Sequence, residues 1–258
     1  MYQLAGPIGR KTLSSINHLL NLFAFIYRML GLLFRPPIAG KIIVRRITLE
    51  QLYFTAVQAL PIIVPAALII GSMLIIQFTK FQGQYDLGKV TVLLIMREIG
   101  PVVTALLVIL RSATAVTIET GYMKVLHEVD ALEMAGLDPL WVVCLPRLIG
   151  ITTAILSLFI VFDLVAILGG YAVVWIITYI PMGNFLEQIA KAITVADIVV
   201  GIIKAICFGI AITATCLYHG FSIRKLITGI PVATARASVE SFFFCLVINV
   251  IISILFYI

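Results

Sequence analysis

Long apolar runs broken by short polar segments set the pattern of this chain. No charged side chain occurs from Gln51 to Thr79, and a first membrane span is expected at 57–79. Pro61 and Pro65 sit in its early turns and predict a kink or a broken start. Later runs predict spans at 90–111, from Leu148 to Ile177, at 197–218 and at 237–257, each near or above the ~20 residues a helix needs to cross a bilayer. The third is long enough to require tilt. Polar segments at 80–89, 178–196 (with Pro181, Gly183 and Asn184) and 219–236 connect them.

Residues 13–34 are apolar but interrupted by His18, Asn21 and Arg28. Ile16, Leu19, Leu20, Phe23, Ile26, Leu30 and Phe34 fall on one broad stripe. An interfacial helix is favoured over a sixth span, because Arg28 is costly in mid-bilayer and Arg35-Pro36-Pro37 ends the segment. The next piece, with Lys41, Arg45 and Arg46, is a basic linker suited to anionic headgroups.

Composition supports this architecture. Of 258 residues, 62% are hydrophobic and 12% charged, too apolar for an ordinary soluble domain. The expectation is one all-α polytopic membrane domain over 1–258, with five spans. The net charge of +6 comes from basic residues flanking apolar segments, so it reports topology and not nucleic-acid binding. With the N-terminus inside, the inner segments hold thirteen Lys and Arg, while the outer loops hold three, Lys80, Lys89 and Lys191. This asymmetry favours a cytoplasmic N-terminus and a periplasmic C-terminus. Cys144, Cys207, Cys216 and Cys245 lie in apolar stretches without a CxxC pair, so neither disulfides nor a metal site is expected from them. Arg10-Lys11 precede an apolar run without a small-residue cleavage site, so no secretory signal is expected.

The segment from Arg97 to Pro146 departs most from the apolar pattern. At 112–140 it forms an acidic island carrying Glu119, Glu128, Asp130, Glu133 and Asp138. Val125, Val129 and Leu132 recur at helical spacing between these acids and predict a short amphipathic helix, closed by Gly136 and followed by Asp138-Pro139. Two readings stand: a solvated connecting loop, or a docking helix that inserts into a soluble partner.

Arg97-Glu98-Ile-Gly-Pro-Val-Val, Glu119-Thr-Gly-Tyr-Met and Glu133-Met-Ala-Gly-Leu-Asp-Pro139 resemble the MlaE (YrbE) family of ABC-transporter permeases. The specific likeness covers about fifty residues, and a looser one nearly the whole chain. The resemblance implies a bacterial inner-membrane permease moving phospholipids or similar lipids. It further implies a homodimer, a cytoplasmic ATPase partner that binds the ATP, and an MCE-domain lipid-binding partner. No cofactor of the chain's own is implied. The segment 119–138 then becomes the coupling segment, with Glu119, Met123, Glu128, Val129, Asp130, Leu132, Glu133, Met134 and Asp138 as its candidate contacts. Ser112 departs from the glycine common in the family after the arginine, which loosens the expected helix packing there.

Ionisable groups inside spans are costly and mark a partner or a wet cavity. Arg97 and Glu98 lie about seven residues into the second span, roughly 10 Å below the outer surface at 1.5 Å per residue. Lys204 reaches a similar depth in the fourth span and Asn249 in the fifth, where some members of the resembled family look acidic. Asp163 joins this layer if the third span is straight. The layer is either a structural lock, such as Glu98 with Lys204, or a polar cavity open to the periplasm where Arg97 and Lys204 meet lipid headgroups. An ion-coupled secondary transporter using Glu98 and Lys204, or a membrane scaffold, are the rival functions. The former leaves the acidic island unexplained, and no inverted repeat is visible.

Gly201, Ala205, Gly209 and Thr213, four apart, predict close helix packing in the fourth span. The histidines, His18, His127 and His219, fall in separate segments near membrane boundaries, and His18 is expected to be an ordinary interfacial residue. Gly6-Pro-Ile-Gly9-Arg-Lys11-Thr12 lacks the spacing and the preceding strand of a phosphate loop. No catalytic constellation is evident.

Overall fold

The structure, a computed structural model, describes residues 2–33, 41–79, 92–178, 187, 189–223 and 226–257. Among them there is no strand, and five helices are long and apolar enough to cross a membrane. The chain is an all-α polytopic membrane protein.

Helix α1 (Tyr2–Leu33) precedes α2 (Lys41–Thr55). One 3₁₀ turn at Val57–Ala59 leads into α3 (Leu60–Thr79), which contains Pro65. The broken start foreseen from the two prolines is therefore present. The basic linker, by contrast, is helical, and the apolar helix reaches from Val44 to Gln77.

Helix α4 (92–125) alternates π-type and α-type turns: Val92–Ile99, Gly100–Val108, Ile109–Ala113 and Thr114–Val125. Its expected end at Arg111 is corrected by the structure. Arg111 is satisfied sideways, donating to the Phe54 carbonyl at 2.6 Å and to Gln58 at 3.1 Å. Beyond it Val116, Thr117, Thr120 and Gly121 remain buried. A hydropathy count stops at the first charge, whereas the helix continues as long as one face has something to pack against. The short helix α5 (Glu128–Met134) follows.

Helix α6 (140–178) runs through Leu140–Cys144, Leu145–Leu164, Val165–Gly169 and Gly170–Thr178. It begins earlier than expected because Asp138 caps it, its Oδ1 accepting from the Leu140 N–H at 2.9 Å, with Pro139 already in helical conformation just before it. Helices α7 (Val195–Phe221) and α8 (Ile230–Tyr257) complete the bundle. The expected hairpin at 80–89, and most of the loop at 178–196, lie outside the described residues.

Helix α7 is central, packed by α4, α6 and α8, with α1 against it as well, while α2 and α3 lie along α6. The small-residue row faces inward as expected: Ala205 and Thr213 are buried, and a Cβ on Gly209 would sit 2.7 Å from the Thr152 Cα of α6. Half of the most apolar stretch of α4, α6 and α7 is buried, against 28% for the first span and 22% for the last. The outer spans therefore keep broad apolar faces for lipid or for another chain.

On α1 the buried side chains are Leu22, Met29 and Leu32, while Ile16, Leu19, Leu20 and Phe23 are exposed. Among the described residues of the anticipated stripe, which excludes Phe34, Ile26 and Leu30 pack against the core. The helix is apolar around much of its girth, so the stripe alone did not fix which side faces the bundle.

Candidate functional site

A polar layer crosses the bundle where α4, α7 and α8 meet. Pro101 has no N–H to donate to the carbonyl of Arg97, four residues back, and its ring disfavours a regular helical turn there. The turn carrying Arg97 and Glu98 is π-type, and the Arg97 carbonyl accepts instead from Lys204 Nζ at 2.6 Å. Lys204 also donates to Ser253 Oγ at 2.7 Å and lies 3.5 Å from Glu98 Oε1. Ser253 donates to that same Glu98 oxygen at 2.7 Å, and Asn249 Nδ2 donates to Oε2 at 2.7 Å.

Three spans therefore converge on one carboxylate. Glu98 keeps 39% of its side chain exposed, whereas Lys204 keeps none. Lys204 is turned into the bundle, toward the Arg97 carbonyl and Ser253. It is the buried cation that holds the layer together.

Arg97 turns the other way, its Nε lying 2.7 Å from Asp197 Oδ1 at the start of α7. Asp197 is positioned by a capping box, its Oδ2 accepting from the N–H and the hydroxyl of Thr194 at 2.9 and 2.7 Å. Sequence reasoning passed over Asp197 and Ser253. The signal for Asp197 was present, since Thr194-x-x-Asp197 before an apolar run is a helix-start signature. Ser253, one turn beyond Asn249, carried none. Asp163 is buried on α6 against Gly100, where any Cβ would meet its Oδ1, and that oxygen has no hydrogen-bond partner among the described residues. It adjoins the layer without joining the network around Glu98.

At the far end of α4 lies the predicted coupling segment. His127, with φ 60°, turns the chain into α5. The Asp130 carboxylate accepts from Lys124 at 3.0 Å and contacts His127 Nδ1 at 2.7 Å. The hydrogen bond with His127, and next that from Lys124, hold its carboxyl below the ordinary 3.8. α5 closes on Gly136 as expected. At φ 75° Gly136 gives its N–H to the Glu133 carbonyl, and Leu137 gives its own to Leu132, both at 3.0 Å.

The structure separates the candidate contacts of this segment. Val129 is buried, and Val125, Leu132 and Met123 are half-buried, so this apolar stripe fastens α5 to the bundle. Glu119 pairs with the buried Arg147 at 2.9 Å, and Asp138 caps α6. Glu128, Glu133 and Met134 remain outward, and Leu126 and Leu137 join them with 58% and 38% exposure. Ser112 is fully buried within α4.

Two histidines also meet, contrary to expectation. His18 of α1 and His219 of α7 both contact Glu240 of α8, at 2.9 and 2.5 Å. Residues 201 and 21 positions apart carry no joint signal in sequence.

Comparison with known proteins matches the same architecture. The family model described as Permease MlaE covers residues 48–255. The chain is 32% identical to the intermembrane phospholipid transport system permease protein MlaE of Haemophilus influenzae, over 82% of this chain and 84% of that one. It is 26% identical to a probable ABC transporter permease protein of Rickettsia conorii, over 100% of this chain and 99% of the relative. Protein TRIGALACTOSYLDIACYLGLYCEROL 1, chloroplastic, of Arabidopsis thaliana is 26% identical over 90% of this chain and 69% of its own length. With the whole polar layer and the connection from α4 to α6 inside the matched range, the chain belongs to the MlaE permease family.

Proposed function

We propose that the chain is the membrane permease of an ATP-driven transporter that moves phospholipids between a bacterial inner membrane and an MCE-domain partner. The observation that carries this reading is the layer in which Arg97 and Glu98 keep exposed surface while Lys204, Asn249 and Ser253 fix them from behind. An arginine and a carboxylate held at one depth in an otherwise apolar bundle suit a zwitterionic headgroup whose chains rest on apolar walls. The phospholipid assignment is supported by the printed name of the Haemophilus relative.

The chain works as a homodimer, which the exposed apolar row Val239, Phe243, Val247 and Val250 of α8 supports. ATP is bound by a separate cytoplasmic ATPase that engages Glu128, Glu133 and Met134 of α5. The thirteen-to-three basic asymmetry supports an orientation with the N-terminus and α5 in the cytoplasm and the C-terminus in the periplasm. Because α5 follows α4 directly and is tied back to it by Lys124 and Asp130 at 3.0 Å, motion at the ATPase is delivered to the helix bearing Arg97 and Glu98.

The test is transfer of a fluorescent phospholipid from vesicles containing the permease, its ATPase and its MCE-domain protein. Arg97→Ala is expected to lower ATP-dependent transfer at least ~10-fold, the size of a lost charge-assisted contact of about 1.5–3 kcal/mol, while the complex stays assembled. Undiminished transfer by that variant would refute the headgroup role. Transfer that needs a proton gradient and not ATP would favour an ion-coupled transporter.

A further inference from the structure

The cluster of His18, His219 and Glu240 is used neither by the polar layer nor by the coupling segment. Its three members come from α1, α7 and α8. His18 Nε2 lies 2.9 and 3.1 Å from the two Glu240 oxygens, and His219 Nε2 lies 2.5 Å from Oε2. The three potential ligand atoms all fall within 4.8 Å of one another.

We propose that His18, His219 and Glu240 form a binding site for a divalent transition-metal ion that staples the N-terminal helix to α7 and α8. Two imidazoles and one carboxylate are the donor set of zinc and non-haem iron(II) sites that leave further positions for water. Bonds of about 2.0–2.1 Å at tetrahedral angles put ligand atoms roughly 3.3 Å apart. The present separations of 2.5–3.1 Å therefore need to open by about 0.2–0.8 Å, within reach of side-chain rotation. The imidazoles would turn lone pairs instead of N–H groups toward the centre, placing the ring proton on Nδ1.

The surroundings suit such a site. His219 and Glu240 are largely buried and His18 about one-third exposed, so the ligands are shielded but reachable. A cleft of about 630 Å³, lined by these three residues with Ala235, Val239 and Phe243, opens beside them as an entry path. Tyr218 packs edge-on against the His18 ring at 5.3 Å and Phe25 against Tyr218 at 6.0 Å, which restrains the imidazole. Arg236 lines the same cleft, and its charge makes the carboxylate necessary to any dication held here. Among the described residues, α1 packs on the bundle through apolar side chains such as Phe25 and Met29, and a metal across these ligands would add bonds to two spans.

The experiment uses the full-length chain without a histidine tag, in lipid nanodiscs, titrated with zinc(II) and cobalt(II). One equivalent of tightly held zinc per chain is expected, along with the visible d–d bands of four- or five-coordinate cobalt(II). Glu240→Gln, which preserves shape and a hydrogen-bonding oxygen, and His219→Ala are each expected to weaken binding at least ~10-fold and to abolish the cobalt bands. Thermal unfolding of Glu240→Gln without metal checks that the fold survives. Absence of stoichiometric binding, or binding unchanged in a folded Glu240→Gln, would overturn the site and leave the cluster a hydrogen-bonded tie.

Discussion

Replacing Lys204 by methionine tests whether the polar layer is locked from behind. The substitution keeps the length and apolar stem of the side chain and deletes only the ammonium. Three contacts go with it: the Arg97 carbonyl at 2.6 Å, Ser253 Oγ at 2.7 Å and Glu98 Oε1 at 3.5 Å. At the membrane-protein average of about 0.6 kcal/mol per hydrogen bond, these sum to roughly 2 kcal/mol. Glu98 adds little, because it is 39% exposed and its stranded charge turns to water. The expected loss is about 2 kcal/mol, which by the scaling for chains of this size lowers the melting temperature by roughly 4–8 °C. The assay is thermal unfolding of the purified protein in detergent, with Asn249→Leu as a milder comparison that removes one bond to Glu98. A Lys204→Met protein melting within 2 °C of the parent would refute the buried-lock account and would return Lys204 to a role in ligand contact.

Three further expectations concern the coupling end. Glu128→Lys with Glu133→Lys is expected to strip the ATPase from the purified complex while the permease keeps its size-exclusion profile, because both side chains are exposed and the proposed docking would set them against a basic rim; full retention of the ATPase would sink the docking role of α5. A cysteine at Glu133 is expected to react with an impermeant maleimide only from the cytoplasmic side, and a reporter fused after Ile258 to be periplasmic; labelling from outside intact cells would invert the topology. Asp130 is expected to titrate below 3.8, since hydrogen bonds with His127 and Lys124 favour its charged form. Its contribution to holding α5 is then complete above the unfolded value and is lost as pH falls through the lowered one. Carboxyl NMR measures this, with His127→Ala moving the midpoint upward, and a midpoint at or above 3.8 would refute it.

The sequence by itself determined the five-span all-α class, the broken start of the first span ahead of Pro61, the close-packing row on α7 and the turn at Gly136. Each follows from a local rule: hydropathy over a span's length, the missing N–H of proline, small side chains at one helical face, a left-handed cap. It also placed Arg97, Glu98, Lys204 and Asn249 at a shared depth, because rise per residue converts position into distance. The tertiary structure alone decided what those residues do to one another. Burial of Lys204 depends on α4, α7 and α8 closing around it, and its hydrogen bond to the Arg97 carbonyl depends on Pro101 sitting opposite a lysine 103 positions away. The same holds for the coupling stripe: a 3.6-residue period shows that Val125, Val129 and Leu132 share a face, but only packing shows that this face turns to the bundle and leaves Glu128, Glu133 and Met134 outside. His18 and His219 were legible as residues but not as neighbours, since a side chain's position in sequence does not encode which distant helix comes to lie against it.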